Sequence, residues 1–284
     1  MRIKVIADST CDLSPELLAM HDIRRMPLTI VMGEAEYKDG DEVSPQDIFQ
    51  YVASGQGISH TAAVNVEEYR AAYQADIAAG AEGIVHFTIS SELSSCYENA
   101  LKAAEGLENI HVVDTRSLST GGGWLVLYAI DLIKQGLGVT EVAQRCEAKK
   151  HLSDTSFVIN TLEYLHKGGR CSGLTALSAN LLSIKPCLEL KDGRIEVGRK
   201  YHGAGAKVVR QYLHDRLEGR EDLDLRRAFV THTYFDEPDF VAEMIELVKQ
   251  LQPFEEVLET SAGCTVSNHC GPGTLGVLVY RKDA

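Results

Sequence analysis

The chain has 284 residues, of which 44% are hydrophobic and 24% are charged, enough for one large α/β domain or two smaller ones. Its formal net charge of −13 argues against non-specific binding to nucleic acid or to anionic membranes. No apolar run reaches the ~20 residues that a membrane span needs, and the first residues show no secretory signal. We therefore expect a soluble protein with no nucleic-acid partner and no stable membrane insertion.

The cysteine usage points to the cytoplasm. Seven cysteines are present, an odd number, and no two of them form a Cys-x-x-Cys pair. Several lie inside apolar runs, which is typical of buried, reduced thiols and not of a disulfide framework. We therefore predict a cytoplasmic location.

The first third of the chain alternates short apolar strands with capped helices. Ile3–Ala7 is predicted as a first parallel strand, and Ser14, followed by a proline and an acid, caps a first helix. A second strand is predicted over Met26–Val31, a helix after the Ser44 cap, and another helix from near Val66. This alternation predicts a parallel sheet with helices on both faces.

A strand followed by a serine-rich turn is the most distinctive stretch of this half. The apolar run from Gly83 is typical of a buried strand. Leu93, Tyr97 and Leu101 are spaced four apart and predict one face of the helix that follows. Free N–H groups at a helix start attract anions, so the serines either cap the helix alone or form an anion-binding site. The turn contains four serines: Ser90, Ser91, Ser94 and Ser95.

Three consecutive glycines, 121–123, lie between a predicted strand, Ile110–Asp114, and a predicted helix, Trp124–Lys134. They lack the Gly-Lys-Ser/Thr ending of a P-loop and the spacing of a dinucleotide fingerprint. We therefore interpret them as positions where the helix packs closely against the sheet.

The second half of the chain mixes hairpins with crossover connections. Asp192-Gly193 between two strand-like runs predicts a hairpin turn. The other predicted elements are strands over 227–232, 257–260 and 276–281, helices over 207–217 and 238–251, and a tight loop over 267–273. We therefore predict an α/β protein of two domains, an N-terminal parallel-sheet α/β/α domain (1–154) and a C-terminal mixed-sheet α/β domain (155–284).

Sequence motifs for catalysis and metal binding are weak. The Gly-x-Ser-x-Gly elbow of serine hydrolases is absent, although Ser90 or Ser91 could join His269 and Asp8 in a triad. Paired Cys-x-x-Cys and His-x-x-x-His spacings are also absent, so we predict no catalytic residue and no metal site. Arg170 is more informative, because it follows two glycines and carries forked donors for an anion. His269 lies in the predicted tight loop, where functional residues concentrate.

Several short motifs occur in order along nearly the whole chain, and together they resemble the DegV family of fatty-acid-binding proteins. That family includes the lipid-carrying subunit of bacterial fatty-acid kinase. The matching residues are Asp8-Ser9-Thr10; Thr61; Ile89-Ser90-Ser91 with Leu93-Ser94 and Tyr97; Val113-Asp114-Thr115; Tyr164-Leu165 with Lys167-Gly168-Gly169-Arg170; Ile184-Lys185-Pro186; Gly263-Cys264; and His269 with Gly271-Pro272-Gly273.

The resemblance implies a buried long-chain fatty acid, with no other cofactor, whose carboxylate is held by hydroxyl groups. Thr61 and Ser94 would contact the carboxylate, and Arg170 and His269 would lie near the mouth of the pocket. A fatty-acid kinase catalytic protein would deliver phosphate to the carboxylate, so this protein would present a substrate and would not be an enzyme. The predicted binding site also includes four neighbours: Ser91, Ser95, Ala62 and Ala63.

The chain departs from the family pattern around the carboxylate. Ala62 and Ala63 replace a serine and a glutamine of the family, and Cys96 replaces a threonine. These changes remove hydrogen-bond donors and leave the acyl specificity open. Two other functions also stay open: a small-molecule transferase or hydrolase that acts in the same cleft, and a regulatory module that binds a partner without lipid.

Overall fold

The computed structural model describes residues 1–171, 184–235, 237 and 239–283. In these residues the strands are β1 (Ile3–Asp8), β2 (Ile23–Met26), β3 (Thr29–Met32), β4 (Ala35–Lys38), β5 (His60–Ala62), β6 (Gly83–Thr88), β7 (Ile110–Asp114), β8 (Ser153–Val158), β9 (Ile184–Lys191), β10 (Arg194–His202), β11 (Arg227–His232), β12 (Glu256–Ser261) and β13 (Leu275–Tyr280). The helices are α1 (Pro15–Met20), α2 (Pro45–Ala53), α3 (Val66–Ala78), α4 (Cys96–Ala104), α5 (Ser119–Lys134), α6 (Val139–Lys149), α7 (Glu163–Gly168), α8 (Gly205–Leu217), α9 (Phe240–Leu251) and α10 (Cys264–Cys270). Two short 3-10 helices span Ser9–Cys11 and Lys150–Leu152.

The strands form three sheets. The N-terminal sheet is parallel throughout, in the order β2–β1–β6–β7. The C-terminal sheet is mixed, in the order β10–β9–β8–β13–β11–β12, with β11 and β12 its parallel pair. A small antiparallel sheet, β4–β3–β5, comes from the N-terminal half. The predicted α/β fold with one parallel and one mixed sheet is confirmed, while the domain boundary at 154/155 stays a prediction.

Local capping signals fix where the early helices begin. Ser14 and Asn65 each accept a hydrogen bond from the backbone N–H three residues later, at 3.3 and 2.8 Å. Ser44 and Asp47 form a reciprocal capping box at the start of α2. Each bond satisfies an N–H that has no partner inside its helix. The starts of α1, α2 and α3 therefore follow from residues next to them in the sequence.

The predicted strand over Met26–Val31 is wrong, because the chain leaves the parallel sheet at Pro27. β2 ends at Met26 and pairs with β1, whereas β3 begins at Thr29 and pairs antiparallel with β4 and β5. Proline has no N–H to donate to a strand ladder and is found at strand ends. Two short strands in two sheets therefore replace the single predicted strand.

The predicted apolar face of the helix after the serine turn is also wrong. The helix α4 begins only at Cys96, so Leu93 lies in the turn before it. Leu101 is 42% exposed. The buried side chains of α4 are small, namely Cys96, Ala100 and Ala103, which lets the helix approach the sheet closely. The even spacing of the large residues therefore does not mark the buried face.

The hairpin predicted at Asp192-Gly193 is confirmed. Both residues have positive φ, 47° and 80°, as a two-residue turn between antiparallel strands requires, and β9 pairs with β10 around them. The predicted helix over 238–251 appears as α9 from Phe240, and its predicted start at Pro238 lies outside the described residues.

Helix α5 lies between the two large sheets and joins them. Twelve of its sixteen residues are buried, and it contacts strands of both sheets, including β1, β11 and β13. The Trp124 ring stacks on Tyr280 of β13 with a centroid distance of 4.1 Å, and its Nε1 donates to the carbonyl of Arg227 at 3.1 Å. A helix that is buried on nearly all sides is expected only where other elements surround it.

The three glycines lie in the first turns of α5, which begins earlier than predicted. A Cβ at Gly121 would overlap the Thr155 hydroxyl, and a Cβ at Gly123 would lie 2.7 Å from the carbonyl oxygen of Cys11. At Gly122 the nearest atom would be 3.5 Å away, an ordinary contact. The interpretation of close packing is therefore confirmed for Gly121 and Gly123 but not for Gly122.

Among the described residues, no helix is both long enough and apolar enough to cross a membrane. Six cysteines of the described residues are buried thiols outside any disulfide: Cys11, Cys96, Cys146, Cys187, Cys264 and Cys270. Burial raises the pKa of Cys96 and of Cys270 to about 12, so these thiols stay protonated at neutral pH. The cytoplasmic location stays a prediction.

Replacing Gly121 by alanine should lower the free energy of unfolding by about 1–3 kcal/mol, because overpacking has a cost of that size. Gly122→Ala is the matched control in the same helix. It should leave stability unchanged or raise it by up to about 1 kcal/mol, since alanine favours helix more than glycine does. Urea unfolding followed by circular dichroism measures both variants. Equal losses in the two would contradict the close contact at Gly121.

Candidate functional site

A cavity of about 290 Å³ lies between the N-terminal and C-terminal halves of the chain. This volume equals that of roughly ten water molecules, at about 30 Å³ each. β5 and the serine turn form one wall, and β8, α7, β10 and α10 form the other. The described residues that line it are Leu28, Thr61, Ala62, Ala63, Ile89, Leu93, Ser94, Ser95, Leu118, Phe157, Leu165, Arg170, Ile195, Thr265, Val266, His269 and Cys270.

Most of the lining is apolar. Leu118, Phe157, Leu165 and Ile195 are all buried and belong to one hydrophobic cluster. They come from four separate segments of the chain, and none stands out from an ordinary core residue in its own segment. The sequence analysis therefore missed them, because only the fold brings them to one surface.

Thr61 and His269 meet at the cavity wall. Thr61 lies in β5 opposite Ile30, and its Oγ1 is 3.0 Å from Nε2 of His269. The two residues are 208 positions apart in the sequence, so this contact joins the small antiparallel sheet to α10. The resemblance had placed both residues at the ligand, and the structure brings them into direct contact.

The His269 imidazole is neutral at physiological pH. Burial, together with the nearby positive charge of Arg170 and of His60, lowers the pKa of His269 to about 4. Its Nδ1 is buried and has no hydrogen-bond partner among the described residues. A Cβ at Gly168 would overlap this Nδ1, so the ring packs directly onto the last residue of α7.

The two glycines before Arg170 have different roles. Gly169 ends α7 in the left-handed region, with φ of 67°, a conformation in which glycine commonly ends helices. Gly168 leaves room for the His269 ring. The turn brings Arg170 to the cavity, where its Nη1 donates to the carbonyl of Gly168 at 2.8 Å. Arg170 is an exposed residue that also lines the cavity, so it can pair with an anion at the mouth.

The segment that carries His269 is a helix, so the predicted tight loop over 267–273 is wrong for residues 267–270, whereas residues 271–273 do form a turn. Two carboxylates from the N-terminal half hold the start of α10. Asp39 accepts hydrogen bonds from the backbone N–H groups of Cys264 and Thr265, at 2.9 and 3.1 Å. Asp12 accepts one from Gly263 at 2.9 Å. Because these caps are more than 200 residues away in the sequence, no local signal announces the helix.

Both carboxylates are buried, and they differ in how fully they are paired. Asp39 also accepts from the hydroxyls of Ser9 and Thr265, at 2.9 and 2.7 Å. Asp12 has one further donor, the Ser119 hydroxyl at 2.6 Å. Burial and the charge of Asp39 raise the pKa of Asp12 to about 7 against these hydrogen bonds. Asp12, one of the two carboxyl groups that hold the start of α10, is therefore partly protonated near neutral pH.

The serines of the turn have separate roles. Ser94 and Ser95 line the cavity, and Ser94 Oγ also accepts from the N–H of Cys96, the first residue of α4, at 3.3 Å. Ser91 does not line the cavity, because its hydroxyl donates to Asp114 at 2.6 Å. Ser90 also points elsewhere, donating to the carbonyl of Gly193 at 2.8 Å. Of the predicted serines, the structure thus brings two to the cavity.

Ala62 and Ala63 line the cavity beside Thr61. Their methyl groups offer no hydrogen bonds, so the described wall next to Thr61 is apolar. Cys96, the third departure from the family pattern, is buried beneath the serine turn. The Ser94 hydroxyl donates to its Sγ at 3.2 Å. The polar groups left at the cavity are therefore few.

The triad considered in the sequence analysis does not assemble. Asp8 accepts from the Tyr69 hydroxyl at 2.6 Å and lies 3.3 Å from Nε2 of His86, in a buried network under the parallel sheet. His269 contacts Thr61 instead, and Ser90 contacts a backbone carbonyl. In the described part of the chain, no group of three or more His, Cys, Asp or Glu side chains converges as metal ligands would.

Comparisons with known proteins agree with this architecture. The sequence model described as an uncharacterised protein of the DegV family matches residues 2–282, so the chain belongs to the DegV family. A DegV domain-containing protein of Deinococcus radiodurans is 31% identical over 285 residues, with both chains covered completely.

Two solved structures are similar over nearly their whole length. One, from Thermus thermophilus, is described as fatty-acid binding of a DegV family protein; it is 32% identical, with a TM-score of 0.86, covering 99% of this chain and 100% of that one. The other is a stearic-acid-binding protein from Eubacterium ventriosum, 26% identical, with a TM-score of 0.83 and 99% of both chains covered.

We expect His269 to titrate with a pKa of about 4, visible in the pH dependence of its ring Cε1–H signal by NMR, with His269→Gln assigning the signal. Since this pKa lies below the ordinary 6.5, the unfolded chain binds the extra proton between pH 4 and 6.5. The stability that the neutral ring contributes is therefore complete above pH 6.5 and is lost as the pH falls towards 4. Titration near 6.5 would show that the ring is solvated and not buried.

Proposed function

We propose that this protein binds a fatty acid in the cavity, with its tail among the apolar side chains and its carboxylate beside Thr61, Ser94 and Arg170. The observation that carries the proposal is one cavity that combines a buried apolar interior with the guanidinium of Arg170 and four hydroxyl groups, those of Thr61, Ser94, Ser95 and Thr265. Fatty-acid binding by the related proteins from Thermus thermophilus and Eubacterium ventriosum supports it.

The tail supplies most of the binding energy in this proposal. Burial of apolar surface contributes about 0.8 kcal/mol per CH₂ group, so ten buried methylene groups contribute roughly 8 kcal/mol before the cost of ordering the chain. The cluster of Leu118, Phe157, Leu165 and Ile195 provides a dry surface for them.

The carboxylate needs donors, because a buried charge without hydrogen bonds is costly. A neutral His269 protonated at Nε2 would donate to Thr61 Oγ1 across the 3.0 Å contact. The Thr61 hydroxyl proton would then be free for the carboxylate, with Ser94 as a second donor. Arg170, which is always charged, would balance the negative charge at the mouth. This tautomer leaves Nδ1 as an uncharged acceptor against Gly168, in keeping with the lowered pKa of His269.

We further propose that the protein presents the fatty acid to a fatty-acid kinase catalytic protein and does not itself catalyse the reaction. Ala62 and Arg170 line the cavity and are exposed, so the carboxylate end would be open to a partner. A carboxylate oxygen would attack the γ-phosphorus of ATP held by that partner, giving an acyl phosphate and ADP. This role fits a site whose described residues include hydrogen-bond donors but no assembled triad.

Mass spectrometry of an organic extract of the undenatured protein should show a fatty acid at near-stoichiometric amount. Thr61→Val and Ser94→Ala should each weaken fatty-acid binding by about tenfold or more, because each removes a hydrogen bond to a charged group. Ser91→Ala is the matched control, since its hydroxyl is bonded to Asp114 outside the cavity. Unchanged binding in both Thr61→Val and Ser94→Ala would refute the carboxylate assignment.

With ATP and a fatty-acid kinase catalytic protein, the loaded protein should yield acyl phosphate, and it should yield none when that partner is left out. The phosphorylated acid is detected as its hydroxamate. Turnover of a small-molecule substrate by this protein alone would favour the transferase or hydrolase instead. Binding to a partner that is equally tight with and without fatty acid would favour a regulatory module.

A further inference from the structure

Two further spaces lie in line behind the main cavity. The nearer one is a void of about 20 Å³, and the farther one is a cleft of about 240 Å³ at the carboxyl ends of β11 and β12. Four side chains line both the main cavity and the void: Leu118, Phe157, Val266 and Cys270. Three residues line both the void and the cleft: His232, Thr233 and Ala262. Each shared set is thus a wall between two neighbouring spaces.

The first wall is apolar and depends on one large ring. Phe157 is 5% exposed, and Leu118 and Cys270 are similarly buried. The partner of Phe157 on β13 is Gly276, which also lines the void. A Cβ there would lie 2.9 Å from the carbonyl oxygen of Ser156 and 3.0 Å from the Cβ of Phe157. Gly276 therefore packs tightly against the strand that carries Phe157, and the void lies next to this contact.

The main cavity is small enough that a long ligand reaches this wall. Its volume is limited to about 290 Å³. A tail that fills the cavity has to end at this wall or pass it. The length of a bound tail would therefore be limited at the side chain of Phe157.

We propose that Phe157 closes the inner end of the acyl cavity and sets the longest fatty acid that this protein binds with full affinity. We also propose that the void and the rear cleft continue the path, so that a tail released by a smaller residue at 157 runs towards Ala262. This inference rests on the proposed fatty-acid binding and assigns the residue that determines acyl length. The methyl end of the bound fatty acid would pack against Phe157.

The test is a series of binding measurements with saturated fatty acids of increasing length. In the wild type, each added methylene should tighten binding about fourfold until the tail reaches Phe157, after which the gain stops. In Phe157→Ala the gain should continue for at least two more methylenes, making the acid two carbons beyond the wild-type limit about fifteenfold tighter relative to the wild type. Phe157→Leu should shift the limit less and serves if the alanine variant does not fold.

Phe229→Ala is the matched control, because Phe229 is equally buried on β11 but lines none of the three spaces. It should leave the length limit in place. Ala262→Leu should not change the limit in the wild type, but should cancel most of the gain when added to Phe157→Ala. An unchanged limit in folded Phe157→Ala, or equal shifts in Phe157→Ala and Phe229→Ala, overturns the role of Phe157. A gain that Ala262→Leu leaves intact overturns the rear path. Absence of any fatty-acid binding by the wild type would instead refute the proposed function itself.

Discussion

The site depends on two buried carboxylates that hold the first turn of a seven-residue helix. A helix as short as α10 is not stable by itself in water, and its first N–H groups have no partners within it. Asp39 and Asp12 supply those partners from the other half of the chain. The carboxylates thereby do three things at once: they fold α10, join the two halves, and fix the direction in which His269 faces Thr61.

This arrangement couples the carboxylate end of the cavity to the packing of the whole molecule. His269 is held between Thr61 on one side and Gly168 on the other, so β5, α7 and α10 must all be in place before the hydroxyl is oriented. Helix α5 provides the frame for this, since it is buried between the two large sheets and holds the two halves of the chain together. The polar end of the site is therefore built by tertiary structure, and its donors are fixed before any ligand arrives, which lowers the ordering cost of binding.

The features that the sequence predicts depend on local contacts, and the features that it misses depend on tertiary contacts. Helix starts capped by a neighbouring residue, such as Ser44, and the turn at Asp192-Gly193 were predictable because the deciding contacts are local. The start of α10 was not, because its caps are distant, and Leu118 and Phe157 were missed because any core contains such residues. The resemblance to the DegV family named Thr61 and His269 as ligand neighbours, and both line the cavity, whereas Ser91, in the same serine turn as Ser94, is bonded to Asp114 outside it.

The departures from the family pattern change the balance of forces at the carboxylate. With alanines at 62 and 63, the donors beside Thr61 are fewer, and each lost donor to a charged oxygen has a cost of about 1.5–3 kcal/mol. Arg170 can offset part of this, since a guanidinium attracts the carboxylate without needing an exact direction at the mouth. In the proposed complex the neutral state of His269 matters more, because it would let the ring donate to Thr61 without adding a positive charge beside Arg170. Selectivity among fatty acids would then fall mainly to the apolar end, where shape and length, and not hydrogen bonds, decide.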